Sequence, residues 1–277
     1  MGELTCFSQA KRVTLRKRLE AMKRFGAYLC ILFSVAVAAL VVINRCDRRN
    51  YVSYTDTFDA EDVTLFYAAE GRGKPVILLH GNGGSHNDME TTTRQLAQAG
   101  YTVYALDSRG QGANEPLAEY HYADMATDLK EFITAKGLTK PAVFGFSDGG
   151  IVALMTEVMY PETLGAIATG GANIFVRGAL VPEFEAHFFA QENPNPLNVM
   201  MLNEPNMTAE DMQSISCPAL IMSGDGDLIR EEHTRLIGDH IPNGEWMIVP
   251  NADHGSYIYH STRVGTLLLD FFERIGY

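Results

Sequence analysis

A serine lies in a glycine-rich turn between a predicted strand and a predicted helix. The stretch Gly145-Phe146-Ser147-Asp148-Gly149 follows the apolar run Pro141–Phe146. In this context a G-x-S-x-G turn holds its serine strained and exposed, and the helix N-terminus favours negative charge beside the hydroxyl. Both glycines, Gly145 and Gly149, are needed because side chains there would collide with the turn and its neighbouring strands. The pattern predicts that Ser147 is a nucleophile.

A serine nucleophile needs a general base, and the base needs a group that orients it. His254 lies between the last predicted strand and the last predicted helix, where we expect the base. Asp225 and Asp227 follow another predicted strand, so both carboxylates are candidates for the orienting acid. The chain order serine, aspartate, histidine is the order that hydrolases with this turn use. These residues predict a catalytic triad.

A second glycine-rich loop, His80-Gly81-Asn82-Gly83-Gly84, follows the apolar strand that ends at Leu79. We predict that it forms an oxyanion hole, in which the backbone N–H groups of Asn82 and Asp148 donate to the developing negative charge. His80 and Gly81 are expected to shape this loop. A phosphate-binding loop is excluded because neither the Gly-Lys-Ser/Thr ending nor the GxGxxG spacing is present.

Short apolar runs alternate with amphipathic stretches after Tyr51, which predicts a mostly parallel sheet covered by helices. Seven runs are predicted strands: Val63–Ala68, Pro75–His80, Thr102–Asp107, Pro141–Phe146, Gly165–Thr169, Ala219–Ser223 and Glu245–Val249. Predicted helices include Met125–Lys136, Gly149–Met159 and Thr262–Ile275. The carboxyl ends of parallel strands meet at one sheet edge, which would bring the candidate residues together.

One long stretch interrupts the alternation between residues 173 and 216. It contains four prolines together with apolar residues such as Phe184, Phe188, Phe189 and the Met200-Met201 pair. Loops of this length inside compact domains are uncommon and often functional. Its apolar content favours a small helical lid over the site, and a packed surface excursion is the alternative.

Charge is distributed unevenly along the 277 residues. The first 49 hold ten of the 22 lysines and arginines but only three of the 34 acidic residues, so the remainder has 12 basic against 31 acidic residues. A domain this acidic repels nucleic acid, which we exclude as a partner. We see no metal-ligand cluster and no cofactor motif, and expect neither a metal nor a cofactor.

The N-terminal segment predicts a membrane anchor. Residues 27–43 form an uncharged run of 17 residues, near the lower limit for a transmembrane helix. Seven basic residues precede the run and three follow it, so the N-terminus should be cytoplasmic and the rest extracytoplasmic. We therefore predict a basic cytoplasmic segment (1–25), a signal-anchor helix (26–45) and a hydrolase domain (50–277). A cleaved signal peptide is the alternative, although apolar residues would then remain after the cleavage site.

Taken together, the motifs resemble the α/β-hydrolase superfamily over roughly residues 60–277. The resemblance rests on His80-Gly81, Asp107–Gly112, Gly145–Gly149, Gly224–Asp227 and His254. It implies the α/β-hydrolase fold, a supporting role for the turn Asp107–Gly112, and Asp227 as the acid, because that family places the acid three residues after the glycine that ends the strand. Phe146-Ser147-Asp148-Gly149-Gly150-Ile151, with Tyr160-Pro161-Glu162 and Gly171-Ala172-Asn173, is similar to the biphenyl hydrolase-like (valacyclovir hydrolase) branch.

Three functions follow as hypotheses. The first is hydrolysis of a small carboxylic ester or lipid-like substrate through an acyl-Ser147 intermediate. The second keeps the triad but cleaves amides, peptides or C–C bonds, and the third is a membrane-tethered binding protein without activity. The carboxylate of Asp148 either attracts a substrate ammonium group or caps the following helix.

Overall fold

The computed structural model describes residues 51–277. Within this range, eight strands form one sheet in the order β1-β2-β4-β3-β5-β6-β7-β8. The β1–β2 and β2–β4 pairs are antiparallel, and the remaining pairs are parallel. The strands are β1 (Val52–Asp59), β2 (Thr64–Gly71), β3 (Pro75–Leu79), β4 (Thr102–Leu106), β5 (Ala142–Phe146), β6 (Ala166–Gly170), β7 (Ala219–Gly226) and β8 (Gly244–Asp253).

Helices connect the parallel strands and cover both faces of the sheet. They are α1 (Glu90–Gln98), α2 (Tyr122–Ala135), α3 (Asp148–Met159), α4 (Pro182–Phe189), α5 (Pro196–Asn203), α6 (Ala209–Met212), α7 (Glu231–His240) and α8 (Arg263–Ile275). A short 3₁₀ helix, His86–Met89, precedes α1. Parallel strands require such crossovers, and burial on both faces explains their continuous apolar sequences.

Strand β3 shows how the sheet separates two apolar cores. Its side chains alternate between the faces, so Ile77 and Leu79 join the core beneath α2, α3 and α7. Val76 and Leu78 join the core beneath α1 and α8. Each of these four side chains is at most 4% exposed. Two-sided burial fixes the register of the central strands and hence the place where each one ends.

All seven predicted strands are present, with ends that differ by up to four residues. Strands β7 and β8 are longer than predicted because they continue to pair around a bulge near Gly224. Strand β1 was not predicted. It lies at the sheet edge with six of its eight residues exposed, so its sequence lacks the apolar alternation by which the other strands were identified.

The predicted cytoplasmic segment (1–25) and signal-anchor helix (26–45) lie outside the described residues. Among residues 51–277, no helix has both the length and the apolar character needed to cross a bilayer.

The 173–216 segment, predicted to be a lid, contains α4, α5 and α6. Phe188 of α4 packs with Leu180 and Ile229 in a small apolar cluster of its own. At the end of α5, the carboxylate of Glu204 lies 2.7 Å from His121 Nδ1 and accepts a 3.0 Å hydrogen bond from the Tyr122 backbone N–H. Both partners stand at the beginning of α2, so this contact fastens the segment to the main domain.

Candidate active site

The parallel strands end at one edge of the sheet, and the predicted site residues lie there. Gly145 in β5 pairs with Leu79 at the end of β3, and Phe146 pairs with Gly170 at the end of β6. The loop from His80 and the turn at Ser147 therefore emerge side by side. Strands β7 and β8 continue the edge to the acid and the histidine.

A continuous chain of hydrogen bonds joins Ser147, His254 and Asp227. The distance from Ser147 Oγ to His254 Nε2 is 3.1 Å, and the distance from His254 Nδ1 to Asp227 Oδ1 is 2.6 Å. A carboxylate can only accept at Nδ1, so the imidazole keeps its proton there and leaves Nε2 free to take the serine proton. Asp227 also accepts from the backbone N–H groups of Gly224 and Ile229, which fix its orientation.

The backbone around Ser147 is strained in the way the turn motif predicts. Its φ is 52° and its ψ is −116°, outside the regions that non-glycine residues normally occupy. A Cβ on Gly145 would lie 2.1 Å from the Gly149 carbonyl oxygen, and one on Gly149 would lie 2.5 Å from the Leu79 oxygen. Neither position has space for a side chain, so the sharp turn needs both glycines.

Two neighbouring aspartates have different places in the site. Asp227 contacts the histidine, whereas Asp225 accepts hydrogen bonds from the backbone N–H groups of Asn251 and Ala252 at 2.8 and 3.0 Å. These bonds lower the pKa of Asp225, since they stabilise its charged form. Asp225 thus holds the loop that carries His254, and Asp227 orients the imidazole.

The second glycine-rich loop packs against Ser147. A Cβ on Gly81 would lie 3.3 Å from the Ser147 Cβ and 2.9 Å from the ring of Phe146. Among the hydrogen bonds within residues 51–277, none uses the backbone N–H of Asn82 or of Asp148 as donor. An oxyanion hole requires unpaired N–H donors near the nucleophile, and these two belong to the loop that packs against Ser147 and to the residue that follows it.

His80 ties this loop to the turn Asp107–Gly112. Its Nδ1 lies 2.7 Å from the Gly81 carbonyl oxygen, and its Nε2 accepts a 3.0 Å hydrogen bond from the Ser108 backbone N–H. Burial lowers the pKa of His80, so the ring stays neutral and keeps one donor and one acceptor nitrogen. The Gln111 side chain adds a 2.7 Å bond to the Gly83 N–H. The loop is therefore braced from the neighbouring turn.

Neither alternative for the side chain of Asp148 describes it fully. It is 3% exposed, and its two oxygens accept from the Tyr122 hydroxyl at 2.8 Å and from Asn82 Nδ2 at 3.0 Å. Burial raises the pKa of Asp148, and these two hydrogen bonds oppose the increase. The carboxylate therefore connects the turn at Ser147 to the Asn82 loop and to α2, a role that neither alternative included.

Gly171 and Tyr122 have contacts that sequence reasoning did not assign. Gly171 follows β6 with φ +64°, and a Cβ there would lie 2.5 Å from His254 Cε1. The His254 imidazole therefore occupies the space that a side chain at position 171 would need. In the sequence, Gly171-Ala172-Asn173 serves only as a point of resemblance. For Tyr122 no signal existed, because its contact with Asp148 joins two helices that are distant in sequence.

Comparisons with known proteins agree with this architecture. Residues 74–202 match the family model described as alpha/beta hydrolase fold. The human protein "Serine hydrolase BPHL" is 26% identical over 243 residues, covering 76% of this chain and 84% of that protein. Two solved structures, Est816, an N-acyl homoserine lactone degrading enzyme, and a bacterial membrane phospholipase A, have a TM-score of 0.67. Est816 is 20% identical to this chain, and the match covers 78% of this chain and 100% of Est816. The phospholipase is 18% identical, and its match covers 92% of this chain and 99% of the phospholipase chain. Residues 51–277 have the α/β-hydrolase fold, and the chain is similar to the BPHL serine hydrolase.

Proposed function

We propose that this protein is a serine hydrolase that cleaves carboxylic esters through an acyl-Ser147 intermediate. The proposal depends on two contacts of His254. Its Nε2 is within hydrogen-bonding distance of Ser147 Oγ, and its Nδ1 is within hydrogen-bonding distance of the Asp227 carboxylate. The unpaired N–H groups of Asn82 and Asp148 beside the serine support it further. The name of the BPHL relative supports the use of serine as the nucleophile.

In the first half of the reaction, Ser147 Oγ attacks the ester carbonyl carbon and passes its proton to His254 Nε2. The carbonyl oxygen becomes an oxyanion, which the N–H groups of Asn82 and Asp148 stabilise. When the C–O bond breaks, His254 gives the proton to the leaving alcohol. Asp227 keeps its negative charge throughout and stabilises the imidazolium.

Water completes the cycle by attacking the acyl carbon, with His254 accepting one of its protons. The second oxyanion collapses, the bond between the acyl carbon and Ser147 Oγ breaks, and the serine recovers its proton from His254. The products are one carboxylic acid and the free enzyme. Removing one oxyanion-hole donor costs about 2.7–4 kcal/mol of barrier in a well-studied serine hydrolase, which sets the scale for these groups.

A fluorophosphonate probe tests the mechanism because it reacts only with an activated serine. The 277-residue chain should be labelled, whereas Ser147→Ala and His254→Ala should not be. Ester hydrolysis should be lost in the same two variants, and a matched series of esters and amides would separate ester from amide cleavage. Absence of labelling in a protein with a cooperative unfolding transition would refute the mechanism and favour the binding-protein hypothesis.

We also propose that residues 26–45 anchor the protein in a membrane with residues 50–277 on the extracytoplasmic side. The uncharged run and the excess of basic residues before it support this proposal. The protein should stay in the membrane fraction after alkaline carbonate washing, and a C-terminal epitope should be protected from protease in sealed vesicles or spheroplast-derived membranes of known orientation. Release by carbonate, or a mature chain that begins after residue 36, would contradict the anchor.

A further inference from the structure

The Asn82 loop contains few side chains by which it could be held. Asn82 is preceded by Gly81 and followed by Gly83 and Gly84. Glycine gives a chain the widest range of backbone conformations, and Gly83 uses this freedom, with φ +67°. Between Gly81 and Gly84 the side chain of Asn82 is the only one. The sequence therefore leaves this one side chain to restrain, from within the loop, the backbone that carries the Asn82 N–H.

That side chain binds the residue that carries the second proposed oxyanion donor. Asn82 Nδ2 donates a hydrogen bond of 3.0 Å to Asp148 Oδ2. Asn82 lies in the loop after β3 and Asp148 is the first residue of α3, so the two donors belong to elements 66 residues apart in the chain. The other carboxylate oxygen, Oδ1, accepts a 2.8 Å hydrogen bond from the Tyr122 hydroxyl. Side-chain hydrogen bonds thus join the two halves of the hole and fix one end to α2.

The separation of the two donors matters for catalysis. An oxyanion hole works when its N–H groups both lie about 2.7–3.1 Å from the same oxygen, and a shift of about 1 Å in a catalytic group can cost roughly 10²-fold in rate. The Asp148 carboxylate is buried, so water does not replace Asn82 as its donor. A buried carboxylate that loses a donor is under-solvated. Withdrawal of the Asn82 loop from α3 is therefore opposed by a free-energy cost.

The charge of Asp148 does not by itself explain the arrangement. Both of its side-chain donors are neutral groups, so their hydrogen bonds fix the position of the carboxylate without cancelling its charge. A negative charge at this place attracts the imidazolium of His254 but repels the oxyanion, so its two effects on the barrier oppose each other. The hydrogen bond to Asn82, unlike the charge, favours one geometry of the hole.

We propose that the Asn82 side chain is a positioning residue, which sets the separation between the two oxyanion-hole donors through its hydrogen bond to Asp148. The Tyr122 hydroxyl holds the Asp148 end of this connection. The inference rests on the proposed function, because both donors stabilise the oxyanion of that same reaction. The Asn82 amide acts on the barrier through the backbone and not by contact with the substrate.

Asn82→Ala tests this role, because it removes the amide and keeps both backbone N–H groups. The full-length variant should hydrolyse p-nitrophenyl acetate with kcat lowered roughly 10–100-fold and KM changed less than about threefold, since the loss arises in the transition state. A trifluoromethyl ketone forms an adduct with Ser147 that carries an oxyanion. Its inhibition constant should rise by the same factor as kcat/KM falls. Titration of the active serine with a fluorophosphonate corrects both values for inactive protein.

An exchange of the two side chains provides the rescue. Asn82→Asp alone sets two carboxylates against each other and should lower kcat at least as much as Asn82→Ala. Adding Asp148→Asn restores a donor and an acceptor with their roles exchanged, because the new amide can donate to position 82 while its oxygen accepts from Tyr122. The double variant should recover kcat roughly tenfold over Asn82→Asp. A general loosening of the loop would not be reversed by Asp148→Asn.

Asn87→Ala is the matched control, because Asn87 is exposed in the 3₁₀ helix that follows the loop. It should keep the wild-type kcat and KM. Wild-type kcat in folded Asn82→Ala, or no recovery in the double variant, would overturn the proposal. So would losses confined to KM and to esters with an amino group, which would show that Asp148 binds a substrate ammonium. A wild-type protein that neither hydrolyses esters nor reacts with the fluorophosphonate would instead refute the proposed function.

Discussion

The hydroxyl of Tyr122 lies 2.8 Å from the carboxylate of Asp148, the residue that follows the proposed nucleophile. Through this contact the first turn of α2 supports the turn at Ser147. The carboxylate is buried, and Asn82 Nδ2 is its second donor. A buried charged group that loses one of two donors is left under-solvated, so the contact matters for both stability and the geometry of the site.

Replacing Tyr122 with phenylalanine removes this donor and little else. We expect the free energy of unfolding to fall by about 1.5–3 kcal/mol, the range for hydrogen bonds to charged groups. Urea denaturation would measure the loss. The matched control is Tyr160→Phe, whose hydroxyl hydrogen-bonds, within residues 51–277, to the Thr127 hydroxyl at 3.0 Å. Its loss should cost about 0.5–1.5 kcal/mol. Equal losses of unfolding free energy in the two variants would show that the hydrogen bond to Asp148 stabilises the fold no more than the hydrogen bond to Thr127 does.

The neighbouring aspartates Asp225 and Asp227 should respond differently to the same substitution. Asp227→Asn replaces the group that orients His254, and we expect kcat to fall roughly 10⁴-fold, as in serine proteases. Asp225→Asn keeps one acceptor for the loop amides and should lower kcat less than tenfold. Steady-state hydrolysis of a short ester would compare them. The assignment of the acid is wrong if Asp225→Asn proves to be the more damaging change.

Gly171 is expected to tolerate no side chain, because a Cβ would lie 2.5 Å from His254 Cε1. We predict that Gly171→Ala displaces the imidazole and lowers kcat by roughly 10²-fold, the loss that a displacement of about 1 Å can cause. Gly178→Ala is the control, since Gly178 also has a positive φ, +84°, but a Cβ built there has no atom of the described residues within 4 Å. Both variants place alanine at a positive φ, so a difference in kcat between them reports the clash with His254 and not backbone strain. Wild-type kcat in Gly171→Ala would contradict the predicted clash.

His233 should make stability depend on pH. Burial lowers its pKa to about 4 from 6.5, and its Nε2 accepts a 3.0 Å hydrogen bond from the Ile174 N–H. The unfolded chain binds the proton first as the pH falls. The contribution of neutral His233 to the free energy of unfolding is therefore complete above about pH 6.5. It is lost as the pH falls from about 6.5 to about 4, and the total loss is about 3 kcal/mol.

The measurement for His233 compares the wild type with His233→Gln, which does not titrate. The loss of unfolding free energy between pH 7 and pH 4.5 should be about 2–3 kcal/mol smaller in the variant. Urea denaturation at each pH gives both values. Parallel pH profiles would show that the folded state does not resist protonation at this position.

The sequence predicts the sheet and the convergence of Ser147 with His254 because both depend on local patterns. Apolar runs identify the central strands, and the carboxyl ends of parallel strands meet at one edge. Strand β1 has an exposed, mixed sequence and leaves no such pattern. The side-chain contacts of Asp148 could not be predicted, because they depend on how α2 packs against α3. Asp227 could be separated from Asp225 only by family resemblance, since the difference arises from the turn at the end of β7.

Glu204 connects the end of α5 to the first residues of α2, and the Tyr122 side chain continues that connection to Asp148. Displacement of Glu204 from α2 would break the hydrogen bond to the Tyr122 N–H, so the 173–216 segment and the turn at Ser147 are connected through Tyr122. A substitution at Glu204 can therefore disturb the surroundings of the nucleophile without contacting Ser147.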